Sequence, residues 1–192
     1  MKQLSYDKAR KLMLPGSVVA FGGTGFISSV IKDVTNCNVS HVGMILSAQV
    51  DFGLSLVQII ESTSIGDGFA GVQINRMSDR FMRYDGEVWI LPLKEEVRDR
   101  MNVINLIDFL IKQKGKEYDT PQAIGSAIDF LPEQRENLDK LFCSELIFSA
   151  LEFSGAIQQG NASEQTPADI CKLNIFGEVC QIKGDEMELF FA

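Results

Sequence analysis

The apolar residues of this chain fall into short runs separated by polar or glycine-rich segments, and helical patterns lie between these runs. Runs of strand length, rich in β-branched residues, occur at residues 17–21, 41–47, 55–61, 72–75 and 87–93. A glycine-containing turn separates the second run from the third, so these two are predicted to pair as an antiparallel hairpin.

Apolar positions spaced three and four residues apart are most regular in two segments, 95–114 and 142–153, which predicts a long helix in each. Shorter helices are predicted at 7–14, 26–33 and 122–130, with a polar loop at 133–139. Thr166-Pro167-Ala168-Asp169 has the capping residue and early proline of a further helix start.

These elements fit one α+β domain. The chain has 192 residues, of which 45% are hydrophobic and 23% charged, enough apolar material for a core without metal or disulfide support. The predicted domain spans residues 1–192, with an N-terminal helix at about 5–14, a core at about 15–170 and a C-terminal extension at 171–192.

The charge balance argues against a nucleic-acid partner. The formal net charge is −8, and an acidic surface repels a phosphate backbone. The densest basic run, Arg76, Arg80 and Arg83, is interleaved with Asp79 and Asp85 and is interpreted as a solvated face.

The apolar segments are too short to cross a bilayer, and the N-terminus lacks the apolar centre of a signal peptide. We therefore expect a cytoplasmic protein without a transmembrane segment. Processing, or delivery by a phage, stays open, as does the oligomeric state.

Four cysteines occur, at Cys37, Cys143, Cys171 and Cys180, without a Cys-x-x-Cys pair. With a single histidine they form no zinc-binding pattern. The ordinary interpretation of each is a small buried apolar residue. Three of them, in a loop, a short helix and a strand, are assigned as structural.

Cys143 differs because it lies at the start of the apolar helix 142–153. The partial positive charge at a helix N-terminus favours the thiolate, the reactive form of cysteine. Free N–H groups in the same first turn can receive an oxyanion. The alternative is a buried cysteine on a core helix.

The lone histidine, His41, lies where a polar loop becomes a buried strand, a place that can hold an imidazole rigidly beside a cleft. Glu61 ends the strand predicted to pair with it, and cross-strand side chains lie about 5 Å apart at the β-carbon. Glu61 can therefore orient the imidazole, with Ser62 and Thr63 as weaker candidates and a solvated strand end as the alternative.

Gly22-Gly23-Thr24-Gly25 follows a strand and opens a helix, the context of a dinucleotide-binding loop. Against this function, Ser28 occupies the third glycine position and no Tyr-x-x-x-Lys pair occurs. A turn between strand and helix is preferred, and dinucleotide binding is kept as the least favoured function.

The order of these motifs resembles the permuted branch of the NlpC-type papain-like superfamily, the YiiX/YebB-like cysteine hydrolases, which are distant relatives of lecithin retinol acyltransferase. The matching segments are Pro-Gly-Ser-Val-Val (15–19), Ser-His-Val-Gly (40–43), Glu61, Gly-Lys-Glu-Tyr-Asp (115–119), Phe-Cys-Ser-Glu-Leu (142–146) and Thr-Pro-Ala-Asp (166–169). The resemblance covers residues 14–170, and Ser17 departs from the aspartate usual at its position.

This resemblance implies a circularly permuted papain-like fold, an antiparallel sheet or barrel packed against helices with the nucleophile at a helix N-terminus. It implies Cys143 as nucleophile, His41 as base and Glu61 as orienting group, with Tyr118 and Ser144 as substrate-binding candidates. No metal or organic cofactor is implied.

The expected activity is hydrolysis or transfer of an amide, ester or thioester through an acyl-cysteine intermediate. The sequence does not select a substrate: a small molecule, a peptide and a lipid-like acyl group all fit. The main alternative is a non-enzymatic module that binds a lipid or small ligand in the same cleft.

Overall fold

A computed structural model describes residues 1–51, 54–63, 69–117 and 142–184. Within this part of the chain lie seven strands: β1 (Lys2–Gln3), β2 (Val18–Gly23), β3 (His41–Asp51), β4 (Leu54–Thr63), β5 (Gly71–Arg76), β6 (Gly86–Leu91) and β7 (Cys180–Lys183). The α-helices in the same ranges are α1 (Tyr6–Ala9), α2 (Phe26–Thr35), α3 (Met77–Arg83), α4 (Glu95–Arg100), α5 (Val103–Gln113), α6 (Cys143–Phe153) and α7 (Pro167–Lys172).

The strands form one sheet in the order β1-β7-β6-β2-β3-β4-β5. All neighbours are antiparallel except β1 and β7, which run parallel. The α+β class is confirmed. The expected antiparallel pairing holds for every pair except β1 and β7, which makes the sheet mixed, and the sheet is open rather than closed into a barrel.

The predicted hairpin of β3 and β4 is confirmed. Met44 lies opposite Ile60 and Ile45 opposite Ile59, and a bulge follows between Ile45 and Ser47. A β-carbon added to Gly43 would lie 3.2 Å from that of Glu61, so Glu61 projects from the same face of the hairpin as Ile59.

The central strands are buried on both faces. Val18 and Ala20 of β2 belong to an apolar cluster with the helices α5, α6 and α7, whereas Val19 and Phe21 belong to a second cluster with α1 and α3. This alternation is the two-residue period of a strand. It explains why β2 reads as a continuous apolar run. The helices of the described ranges are all too short or too polar to cross a membrane.

Two predicted elements differ from the structure. The basic run around Arg80, interpreted as a solvated face, belongs largely to helix α3, whose Met77 and Arg80 are buried. The single helix predicted at 95–114 is two helices, because the Asn102 side chain accepts a hydrogen bond from the Asn105 N–H and starts α5 anew. The predicted helix 122–130 and loop 133–139 lie outside the described residues.

The C-terminal extension contributes to the sheet, since β7 lies between β1 and β6. Its strand pairs therefore join the two ends of the described chain.

The glycines of the strand–turn–helix segment allow close packing. A β-carbon on Gly22 would lie 2.7 Å from the Asn38 carbonyl oxygen, and one on Gly23 would lie 2.8 Å from the Tyr84 hydroxyl. β2 is also antiparallel to both of its neighbours, whereas a dinucleotide fold places its glycine turn in a parallel sheet. Packing accounts for these glycines without a nucleotide.

Candidate active site

His41 and Glu61 are brought together by the hairpin. His41 is the first residue of β3, and its Nε2 lies 2.8 Å from Oε2 of Glu61 in β4. The His41 side chain keeps 15% of its surface exposed, and that of Glu61 keeps none. The carboxylate therefore fixes the ring orientation from the buried side and leaves Nδ1 as the nitrogen for another partner.

Arg80 of α3 clamps the same carboxylate. Its Nε donates to Oε1 of Glu61 at 2.5 Å and its Nη2 to Oε2 at 2.8 Å, while the Asn75 side-chain amide donates to Oε1 at 3.0 Å. Burial alone would raise the pKa of Glu61, but the hydrogen bonds from His41 and Arg80 and the Arg80 charge outweigh it. They lower the pKa of Glu61 to about 2.

Aromatic rings of the second apolar cluster pack against His41 and Arg80. The Phe21 ring lies 5.4 Å from the His41 ring, and the Arg80 guanidinium carbon lies 4.9 Å from the Phe21 centroid and 5.3 Å from that of Tyr84. These are cation–π distances. The imidazole and the guanidinium are thus packed against the same phenylalanine.

Cys143 is the first residue of α6, as predicted, and it interacts with His41. Burial would lower the pKa of His41, but electrostatic interaction and a hydrogen bond with Cys143, together with Glu61, raise the pKa to about 9. Cys143 belongs to the helix-side cluster and Phe21 to the opposite one. The group therefore lies where the two layers meet, at the amino end of β3.

The start of α6 presents backbone donors near this sulfur. The first bond of the helix ladder runs from the Leu146 N–H to the Phe142 carbonyl oxygen, at 3.1 Å. Helix geometry leaves the N–H groups of Cys143 and Ser144 outside that ladder. They are the natural donors to an oxyanion formed at Cys143.

Access to the sulfur is restricted, since Cys143 as a residue is only 1% exposed. The His41 side chain beside it is more open. A reagent therefore reaches the sulfur only when neighbouring atoms move.

Ser144 is buried and its hydroxyl donates to the Gln165 carbonyl oxygen at 2.5 Å. This bond joins α6 to the segment before α7, where Thr166 and Asp169 form a capping box. A substrate-binding role for Ser144 stays a prediction. Tyr118, the other candidate, lies outside the described residues.

The remaining cysteines, Cys37, Cys171 and Cys180, are free and buried. Burial raises the pKa of all three thiols, most strongly that of Cys171. A raised pKa disfavours the thiolate, which fits the structural roles assigned to them.

Sequence reasoning missed Arg80. The basic run was interpreted as a solvated face, but Arg80 is only 6% exposed, since it turns inward to Glu61. The available signal was spacing: Arg76, Arg80 and Arg83 are four and three residues apart, which places them on one side of a helix.

Comparison with known proteins finds similarity at the level of the fold. No protein-family model matches the sequence, and no curated protein matches it. A crystal structure of the metalloprotein yiiX from Escherichia coli O157:H7, DUF1105, is similar with a TM-score of 0.53. The alignment has 16% sequence identity and covers 77% of this chain and 69% of that one. The chain thus has a YiiX-like α+β fold.

The neighbour's description as a metalloprotein prompts a test of the donor atoms in this chain. Among the residues that the structure describes, no group of three or more His, Cys, Asp or Glu side chains could hold a metal ion. Both Glu61 oxygens accept hydrogen bonds from the cationic Arg80, which would repel a metal cation. The described site does not fit a metal.

Proposed function

We propose that this chain is a cysteine-dependent hydrolase or acyltransferase with a permuted papain-like fold, acting on an amide, ester or thioester. The observation that carries the proposal is the series Cys143–His41–Glu61, in which a thiol at a helix start meets an imidazole held by a buried carboxylate. The YiiX-like fold supports it.

Acylation would begin with transfer of the Cys143 thiol proton to Nδ1 of His41. The thiolate then attacks the substrate carbonyl carbon, and the N–H groups of Cys143 and Ser144 stabilise the tetrahedral oxyanion. As the intermediate collapses, its bond to the leaving nitrogen, oxygen or sulfur breaks. His41 donates its proton to that leaving group, and an acyl-cysteine remains.

Deacylation reverses these roles. Water, or an acceptor alcohol or amine, loses a proton to His41 as it attacks the acyl carbon, and the sulfur leaves and regains a proton. Glu61 holds the ring in one tautomer throughout, through its bond to Nε2.

The first prediction concerns Cys143 itself. Incubation with p-nitrophenyl butyrate is expected to release p-nitrophenol and give a butyryl adduct on Cys143, located by peptide mass spectrometry. Cys143→Ala should lose both signals, with turnover reduced at least about a thousandfold, as for other catalytic nucleophiles. Cys171→Ala, which alters a buried thiol of the same apolar cluster, should retain them. Full turnover by Cys143→Ala would overturn the proposal.

The second candidate function is a binding module with an idle thiol, and the 1% exposure of Cys143 favours it. Iodoacetamide separates the two functions, because a thiolate–imidazolium pair reacts at low pH. Alkylation of Cys143 at pH 6 no faster than that of glutathione would count against the enzyme and favour the binding module.

A further inference from the structure

A groove of about 480 Å³ lies beside residues that hold Glu61. Its wall includes Asn75 and Arg80, the same two side chains that donate hydrogen bonds to Glu61. The groove and the candidate active site therefore share a wall, although no residue of the catalytic series lines the groove.

The groove is basic in a chain of net charge −8. Arg76, Arg83 and Lys114 line it, and none of their side chains forms an ion pair or hydrogen bond with another residue in the described ranges. Arg80 is committed to Glu61, and Asp79 is the sole acidic residue of this lining. Three cations are thus left facing one carboxylate, an excess that attracts an anion.

The same groove has an apolar side. Phe69 is 41% exposed and lies with Ile74 in the lining. The Phe69 backbone is held in place because the Gln73 side-chain amide donates to its carbonyl oxygen. A ligand that matches both sides carries a negative charge and an apolar chain.

We propose that this groove binds the anionic end of an amphiphilic acyl substrate, a phosphate ester or carboxylate carried on an apolar chain. The guanidinium groups of Arg76 and Arg83 bind the anion in a forked geometry, and Lys114 adds a point charge. Phe69 and Ile74 pack against the chain. As a substrate assignment, this inference rests on the proposed function; as a binding site, it stands on the groove alone.

The binding test uses hexyl phosphate, titrated by calorimetry at low salt into the full chain carrying Cys143→Ala. Saturable binding is expected, tighter than that of inorganic phosphate, since only the alkyl ester contacts the apolar side. R76Q/R83Q should weaken it about tenfold or more, because two charge-assisted contacts are lost. The control K8Q/K11Q removes two exposed positive charges outside the groove and should change affinity less than about twofold.

The single variant K114Q has a closely matched control in K112Q, since Lys112 lies two residues away, outside the groove, and pairs with Asp108. Weaker binding of hexyl phosphate by K114Q but not by K112Q supports an anion site in the groove. Equal affinity of R76Q/R83Q and K8Q/K11Q for hexyl phosphate would overturn that site.

The substrate test compares p-nitrophenyl butyrate with a matched p-nitrophenyl ester bearing a terminal carboxylate. In the parent chain the carboxylate ester is expected to have the lower KM. R76Q/R83Q should raise that KM about tenfold with kcat nearly unchanged, and leave the neutral ester unaffected. An equal effect on both esters would overturn the substrate assignment.

Failure of the proposed function and failure of the anion site give different results. If the parent chain turns over neither ester, the proposed function and the substrate role fail together. The hexyl phosphate titration still decides, by itself, whether the groove is an anion site.

Discussion

Glu61 is a carboxylate with no exposed surface near the end of β4, and its neighbours explain how it stays ionised there. Each oxygen accepts a hydrogen bond from Arg80, and Asn75 and His41 supply the others. A buried charge without such partners would cost several kcal/mol. The same bonds hold the imidazole, so at this residue stability and proposed chemistry depend on one set of contacts.

The titration of His41 gives the second prediction. Because the chain has one histidine, its imidazole nitrogens are unambiguous in a 15N NMR titration. The midpoint is expected at about pH 9 in the parent chain. It should fall in Cys143→Ala, which removes the largest raising contributions, and in Glu61→Gln. An unshifted midpoint near 6.5 in all three proteins would show that Cys143 does not interact with His41.

The third prediction concerns Arg80→Met. This change leaves a buried carboxylate without its cation and is expected to lower the free energy of unfolding by about 3 kcal/mol, measured by urea denaturation. Arg80→Lys keeps the charge but loses the fork, so it should give a smaller loss.

Arg83→Met is the control, since Arg83 is exposed on the same helix and forms no ion pair in the described part of the chain. A loss in Arg83→Met as large as that in Arg80→Met would mean that the loss comes from a weakened helix α3 rather than from the missing Arg80–Glu61 ion pair.

At the scale of elements, α3 is short and depends on a distant strand. Its seven residues end near the Phe81 and Tyr84 carbonyl oxygens, and Lys183 of β7 donates to each of them at 2.6 Å. A cation at this end offsets the negative end of the helix dipole. The strand near the end of the chain therefore supports the helix that carries Arg80.

Lys183→Met provides the fourth prediction. Loss of two charge-assisted hydrogen bonds should lower the free energy of unfolding by about 2 kcal/mol. The amides at the end of α3 should also exchange hydrogen faster. Lys112→Met, which removes a surface pair with Asp108, is the comparison and should cost only a few tenths of a kcal/mol. Unchanged exchange at Arg83 and Tyr84 would contradict the capping role of Lys183.

For the whole molecule, the coupled pair His41 and Glu61 defines a pH window of stability. The pKa of Glu61 is lowered from 4.5 to about 2, so its contribution is present above 4.5 and is lost as the pH falls toward 2. The pKa of His41 is raised from 6.5 to about 9, so its contribution is present below 6.5 and is lost as the pH rises through 9. Both contribute fully between about pH 4.5 and 6.5.

The fifth prediction follows from this window. The free energy of unfolding, measured with urea at several pH values, should decline between pH 6.5 and 9 in the parent chain. His41→Gln should flatten that decline while keeping the acid-side loss, because the Arg80–Glu61 pair is retained. If the free energy of unfolding declines equally with pH in both proteins over the alkaline range, His41 is not the cause of the decline.

The sequence by itself determined the α+β class, the hairpin of β3 and β4 and the helix that starts at Cys143. These depend on local signals: β-branched runs of strand length, a glycine turn, and apolar spacing after a polar start. It also supplied the order His41, Glu61, Cys143, which indicated chemistry before any contact was known.

Only the tertiary structure decided that the sheet is open, that β7 completes it, and that Arg80 turns inward to Glu61. Each depends on contacts between residues far apart in the chain, such as Lys183 with Tyr84, and local periodicity carries no information about such contacts. A basic helical face looks the same in sequence whether it meets solvent or a buried carboxylate. The difference is the partner that the fold places opposite it.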